Sequence, residues 1–228
     1  MDLSAEDIRW IFVGLFTLIV SVAVHEFGHA IVAYKLGDDT PKRQGRVTLN
    51  PIAHADPIGT LLLPLVGGIY GAAAGTAGGF GWGKPVQWQP HRIRKGIKMS
   101  TASILVSVAG PGMNLLLGTL LALTHVLLLK FEVLTVGSDV GQILTFAVMT
   151  NFVLMFFNLL PVPPLDGGHV AQALVPYKHR ASFESFAKFG PFIILGVILI
   201  PQFRMLFQTP AMWCADSLYK GFAALLLS

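Results

Sequence analysis

His25 and His29 stand four residues apart, with Glu26 directly after the first, in the stretch SVAVHEFGHAIVAYKLG at residues 21–37. On a helix, residues four apart share one face. Two imidazoles at that spacing can hold one zinc ion, and the adjacent glutamate can act as general base on a water beside it. All three lie in an apolar run, where an ionisable side chain costs roughly 3 kcal/mol. Three satisfied core residues would be the plain alternative. Three such groups within five positions need a strong compensating interaction, and a metal supplies one.

Two histidines do not complete a catalytic zinc site, which takes three protein ligands and leaves a position open for water. Candidate carboxylates are few. Asp2, Glu6 and Asp7 precede the apolar run, and Asp38, Asp39 and Asp56 follow it. Glu132, Asp139, Glu184 and Asp216 lie further on. Asp166 stands apart, in FNLLPVPPLDGGHV at residues 157–170. Pro161, Pro163 and Pro164 force extended backbone, and Gly167 and Gly168 allow close backbone approach. Irregular backbone at membrane depth is tolerated only where it packs in protein or lines a cavity.

The elements that must position these groups are membrane helices. Of the 228 residues, 54% are hydrophobic and 12% charged, with a mean hydropathy of +0.66. That composition is far from a soluble domain. Runs of about 20 apolar residues span a bilayer. Such runs are expected near Ile8–Tyr34, Ser103–Leu129 and Val140–Leu160, with a shorter one near Phe186–Ile200 and a marginal one at Met212–Leu227. The stretch at 57–86 is apolar but broken by Pro64 and by glycine pairs at 67–68 and 78–79, which oppose a continuous helix. The net charge of +4 does not indicate nucleic acid. The basic residues sit in loops between apolar runs, where cytoplasmic membrane flanks place them. The lone Cys214 excludes an internal disulfide, and the acidic MDLSAEDIRW before the first run does not read as a cleavable signal.

HEFGH together with NLLPVPPLDGG resembles the site-2 protease family of intramembrane zinc metalloproteases, peptidase family M50. AGPGMN at residues 109–114 is a third element typical of that family. GRVTLNPIAHADPIGTLLLP and FGWGKPV resemble its compact prokaryotic branch, which lacks PDZ and CBS domains. The resemblance covers residues 20–175. It implies that His25, His29 and Asp166 ligate one zinc per chain, and that Glu26 is general base on water activated by that zinc. It implies that Asn114 and Asn158 lie near the substrate, where a side-chain amide can donate to a developing oxyanion. A helix–helix hydrogen bond is the alternative role for each. His54 and Asp56 could support the ligands from behind or bind a second ion, or form a polar turn before a membrane-dipping segment. His169 follows the glycine pair where many relatives carry arginine, and it is left outside the ligand set.

The expected fold is an all-α polytopic membrane protein: a helical bundle of four to five membrane segments, six at most. A re-entrant or surface segment is expected near 57–86 and a small β element near 42–50, whose edge could pair with an unwound substrate. Residues 1–228 read as one membrane-embedded domain, with a catalytic core over about 8–175 and C-terminal helices over about 183–228. The expected function is intramembrane cleavage of the transmembrane segment of a membrane-protein substrate, in contact with the lipid bilayer. A non-proteolytic membrane zinc protein, a transporter or sensor, is the alternative, and it has no need of Glu26. For one zinc to touch His25, His29 and Asp166, the chain between them must cross the membrane an even number of times. The runs at 103–129 and 140–160 supply two crossings, so 57–80 cannot be a lone third. The basic loops then share one face, which the positive-inside rule makes cytoplasmic in a multi-pass inner-membrane protein.

Overall fold

The computed structural model describes residues 3–73 and 81–226. Residues 74–80 of the broken stretch, and residues 227 and 228 at the C-terminal end, lie outside the described residues. The described chain is helical: α1 (Ala5–Lys35), α2 (Thr40–Arg43), α3 (Pro51–His54), α4 (Leu63–Ala73), α5 (Met99–Lys130), α6 (Asp139–Asn158), α7 (Asp166–Leu174), α8 (Arg180–Ala187), α9 (Gly190–Leu199) and α10 (Pro201–Leu226). A π-helical turn over Pro57–Leu62 leads into α4.

Local chemistry sets the ends of the long helices. Ser4 and Asp7 form a reciprocal capping box at the start of α1, and Lys35 stands in its last turn, where a cation offsets the helix dipole. Ser138 caps α6 by accepting from the Gly141 N–H. Helices α1, α5 and α6 are long and apolar enough to cross a membrane, and the Tyr177–Ala187 and Gly190–Leu199 pair, bent by 55°, would make a fourth crossing if it counts as one span. The chain is an integral membrane protein. The marginal C-terminal run falls within α10, which carries Arg204, Asp216 and Lys220 and is not among those candidates.

Helix α5 is the central strut. It packs against α1 on one side and α6 on the other, while α10 lies across α5 and α6. Ala122, Val148 and Phe152 are fully buried there, joined by Ala211 and Ala215. Small residues allow the helix axes to approach closely. At Gly28 in α1, an added Cβ would come within 2.6 Å of the Ala109 carbonyl oxygen of α5. The chain after α6 turns back so that α7 also packs on α5.

Residues 57–73 form a π turn followed by α4, held against α1, and the apolar helix at Pro57–Ala72 is too short for a crossing. One expectation changes here: the small β element at 42–50 is not found, and no strand occurs among the described residues. Its backbone groups are spent locally. Gln44 N–H donates to the Thr40 carbonyl, Gly45 N–H to Lys42 and Arg46 N–H to Pro41. Gly45 then turns the chain at φ +67°, which suits glycine, and Asn50 caps α3. A strand needs a neighbour to exchange hydrogen bonds with, and this segment has satisfied itself.

Candidate metal centre

His25 and His29 lie in the last third of α1, on the face turned to α5. Both are buried, as is Glu26 between them. Asp166 opens α7, after the proline-bearing turn that follows α6. Gly167 and Gly168 let this turn close up. A Cβ on Gly168 would strike the Pro163 nitrogen, and one on Gly167 would strike the Leu159 carbonyl. The result is convergence. His25 Nε2 is 3.1 Å from Asp166 Oδ2, His29 Nε2 is 3.3 Å from Asp166 Oδ1, and the two Nε2 atoms are 3.0 Å apart.

This donor set fits a divalent metal ion. Each histidine turns Nδ1 toward a protein oxygen: His25 toward Asn114 Oδ1 at 2.6 Å, His29 toward the Val106 carbonyl at 2.7 Å. Those oxygens accept, so both Nδ1 atoms carry the proton and both Nε2 atoms present lone pairs. Among the described residues, Asp166 Oδ2 is buried without a hydrogen-bond donor. Two lone pairs and a carboxylate facing one another at this depth repel unless a cation lies among them. Gly110 of α5 leaves the space open, since a Cβ there would lie 2.6 Å from His25 Nε2 and strike His29 Nε2 as well. Two imidazoles and one carboxylate, with space beside them, match catalytic zinc ligation.

Glu26 does not join the ligands. Its Oε2 accepts from the Val86 N–H at 3.0 Å. Val86 belongs to an irregular strap, residues 81–89, which lies over the site. Trp82 N–H donates to the Gly59 carbonyl and Lys84 N–H to the His54 carbonyl, and Gln89 N–H donates to Asp38 Oδ2 at 2.5 Å. Arg46 fastens the strap from the other side. Arg46 is 4% exposed, and its guanidinium donates to the carbonyls of Ala53, Lys84 and Pro85. Burial holds the Arg46 guanidinium below its usual pKa, and the Glu26 carboxylate opposes that by favouring the charged form. A guanidinium stays protonated in either case.

The other residues singled out in the sequence fall in different places. Asn114 is fully buried behind His25, with its amide engaged by Ser21 and Asn151. Asn158 is half-buried, and its Nδ2 donates back to the Leu154 carbonyl of its own helix at 2.9 Å. His54 is buried and turns Nε2 to the Thr48 carbonyl, while its own carbonyl holds Lys84. Burial, together with the Arg46 charge, keeps this imidazole below its usual pKa. Asp56 caps the π turn by accepting from the N–H groups of Ile58 and Gly59. His169 is exposed, one turn beyond Asp166. Sequence reasoning gave no site role to Gly110, Ser21, Asn151 or Arg46, although Gly110 and Arg46 fall within the quoted AGPGMN and GRVTLN stretches and Asn151 is a polar side chain inside a membrane run.

Comparison with known proteins agrees with this geometry. The sequence profile of "Peptidase family M50" matches residues 13–136 and 131–201. The chain is 40% identical to the "Putative zinc metalloprotease YwhC" of Bacillus subtilis, over 92% of this chain and 90% of that protein. It is 34% identical to the "Putative zinc metalloprotease Rip2" of Mycolicibacterium smegmatis, over 99% of this chain and 83% of that one. A Rip2 of Mycobacterium tuberculosis is 30% identical over 90% of this chain and 75% of its own length. No solved structure matches the chain. With most of its length matched by both the family profile and full-length relatives, the chain belongs to peptidase family M50.

Proposed function

We propose that this protein is an intramembrane zinc endopeptidase that cleaves transmembrane segments of membrane proteins. The observation that carries the reading is Glu26: a carboxylate beside three converging ligand groups, on a membrane helix, yet held out of the ligand set by Val86. A transporter or sensor has no use for a base there. His25, His29 and Asp166 hold the zinc, which when bound polarises the scissile carbonyl and makes water acidic enough to lose a proton near neutral pH. Glu26 accepts that proton and returns it to the departing amine. The Val86 N–H orients one carboxylate oxygen and leaves the other for water.

A helical substrate must unwind, because its peptide bonds are hidden in internal hydrogen bonds. The strap offers the unwound chain a partner. Trp82, Lys84 and Val86 direct N–H groups into the protein. By the two-residue period of extended backbone, Gly83 and Gln87 turn theirs to the opposite side. A substrate strand pairs with that side and lies across the metal, with Asn158 near its scissile bond. The enzyme sits in the cell inner membrane with its site toward the cytoplasm.

The test compares membrane proteomes of cells carrying wild-type enzyme or Glu26→Gln, alongside metal analysis of both purified proteins. Both variants should hold about one zinc per chain, and truncated membrane proteins should appear only with the wild type. Equal cleavage by Glu26→Gln would remove the protease reading and favour a zinc-binding transporter or sensor.

A further inference from the structure

Behind the His25 ring, a row of buried amides runs from α1 through α5 to α6. Asn114 and Asn151 are each 0% exposed. Asn114 Nδ2 donates to the Ser21 carbonyl at 3.2 Å and to Asn151 Oδ1 at 2.9 Å. Asn151 Nδ2 donates to the Ala147 carbonyl at 2.9 Å and to Ser21 Oγ at 3.0 Å. The direction of this row is fixed at two points. A main-chain carbonyl can only accept, so the atom facing Ala147 must be the Asn151 nitrogen, and the atom facing Ser21 must be the Asn114 nitrogen. Each amide then turns its oxygen the other way, Asn151 toward Asn114 and Asn114 toward His25 Nδ1.

We propose that Asn151, acting through Asn114, is a positioning residue that locks His25 in the tautomer with Nδ1 protonated and the Nε2 lone pair aimed into the metal pocket. The inference rests on His25 being a zinc ligand. If the Asn114 amide were reversed, its nitrogen would face His25 Nδ1 and favour the other tautomer. That tautomer carries its proton on Nε2, where the metal must bind. Asn151 Oδ1 is the closer of the two acceptors that prevent the reversal. The third membrane helix thus sets the chemistry of a ligand on the first, without touching metal or substrate.

Zinc affinity, measured by competition with a chelator of known strength on detergent-purified protein, tests this apart from activity. Asn151→Leu keeps the branched shape with bulkier methyl groups and Asn151→Ala leaves a small cavity, and both remove the acceptor for Asn114. Each should bind zinc roughly 10- to 100-fold more weakly than wild type, the range seen when a group orienting a metal ligand is lost. A purely structural role would instead lower the melting temperature, more for alanine than for leucine, and leave the affinity of the folded protein alone. Wild-type affinity in either folded variant overturns the proposal. His25→Ala separates the two levels. If it binds zinc as wild type does, the ligand assignment has failed. If it loses zinc while both Asn151 variants keep it, the amide row has failed. A 15N spectrum of the histidine-labelled, zinc-loaded wild type should show the His25 proton on Nδ1, and a proton on Nε2 would overturn the tautomer directly.

Discussion

Gly110 presents a hydrogen atom where any other residue would place carbon against the Nε2 atoms of His25 and His29. It lies on α5, which α1 contacts along much of its length, so the helices cannot separate locally without disturbing Gly28 against Ala109. Gly110→Ala is therefore expected to bind zinc at least about 100-fold more weakly, more than loss of an orienting group costs. Its helix content should stay intact, since alanine favours helix over glycine by about 1 kcal/mol. Chelator competition and circular dichroism on one preparation check both halves. Full affinity would mean that α5 shifts freely and that the pocket is not shaped by it. At this scale the sequence revealed groups whose chemistry is local. His25, Glu26 and His29 are legible from spacing, and Asp166 from the prolines and glycines around it. Gly110 was not, and Asn151 showed only as a polar side chain in an apolar run, because their importance comes from atoms on other helices. A glycine facing a ligand and a glycine facing lipid look the same in one sequence.

The strap at 81–89 shows what an element without regular structure can do. It has no ladder partner among the described residues, yet it is tied down at Gly59, His54, Glu26 and Asp38. Arg46 is the fastener with most to lose, since hydrogen bonds to charged groups contribute about 1.5–3 kcal/mol each. Arg46→Gln cannot reach three carbonyls, and it should release the segment that holds the Val86 N–H on Glu26. Turnover is expected to fall about a hundredfold, as for a small misplacement of a catalytic group, while zinc content stays at the wild-type level. Loss of zinc together with turnover would instead make Arg46 a support for the whole fold. The sequence suggested a β element at 42–50, but a strand is defined by its partner, and no partner is visible in residue order. The true outcome depended on contacts between 46 and 84–85, which no periodicity encodes.

At the scale of the whole molecule, two loops separated by the broken stretch come together at one end of α1. Arg94 N–H donates to the Leu36 carbonyl at 3.0 Å, Arg92 pairs with Asp39 at 3.0 Å, and Gln44 reaches Gln87 at 3.4 Å. The chain that leaves after Arg46 therefore returns to the same end by Lys84. Helices α5 and α6 then carry it across and back, which brings Asp166 to the histidines at that end. The parity expected from the sequence and the loop contacts agree, although they rest on different facts. One rests on the need for three ligands to meet, the other on hydrogen bonds outside the metal site. Lys35, Lys42, Arg43, Lys84, Arg92, Arg94, Lys95 and Lys98 all lie on these two loops or their edges, and the positive-inside rule is the ground for the proposed cytoplasmic side. Cysteines placed at Gln44 and Arg94, in a Cys214→Ser background, should both react with a membrane-impermeant maleimide in inside-out vesicles and neither in intact cells. Labelling from opposite sides would require a full crossing between them. That would carry Asp166 away from His25 and His29 and leave the metal with two ligands.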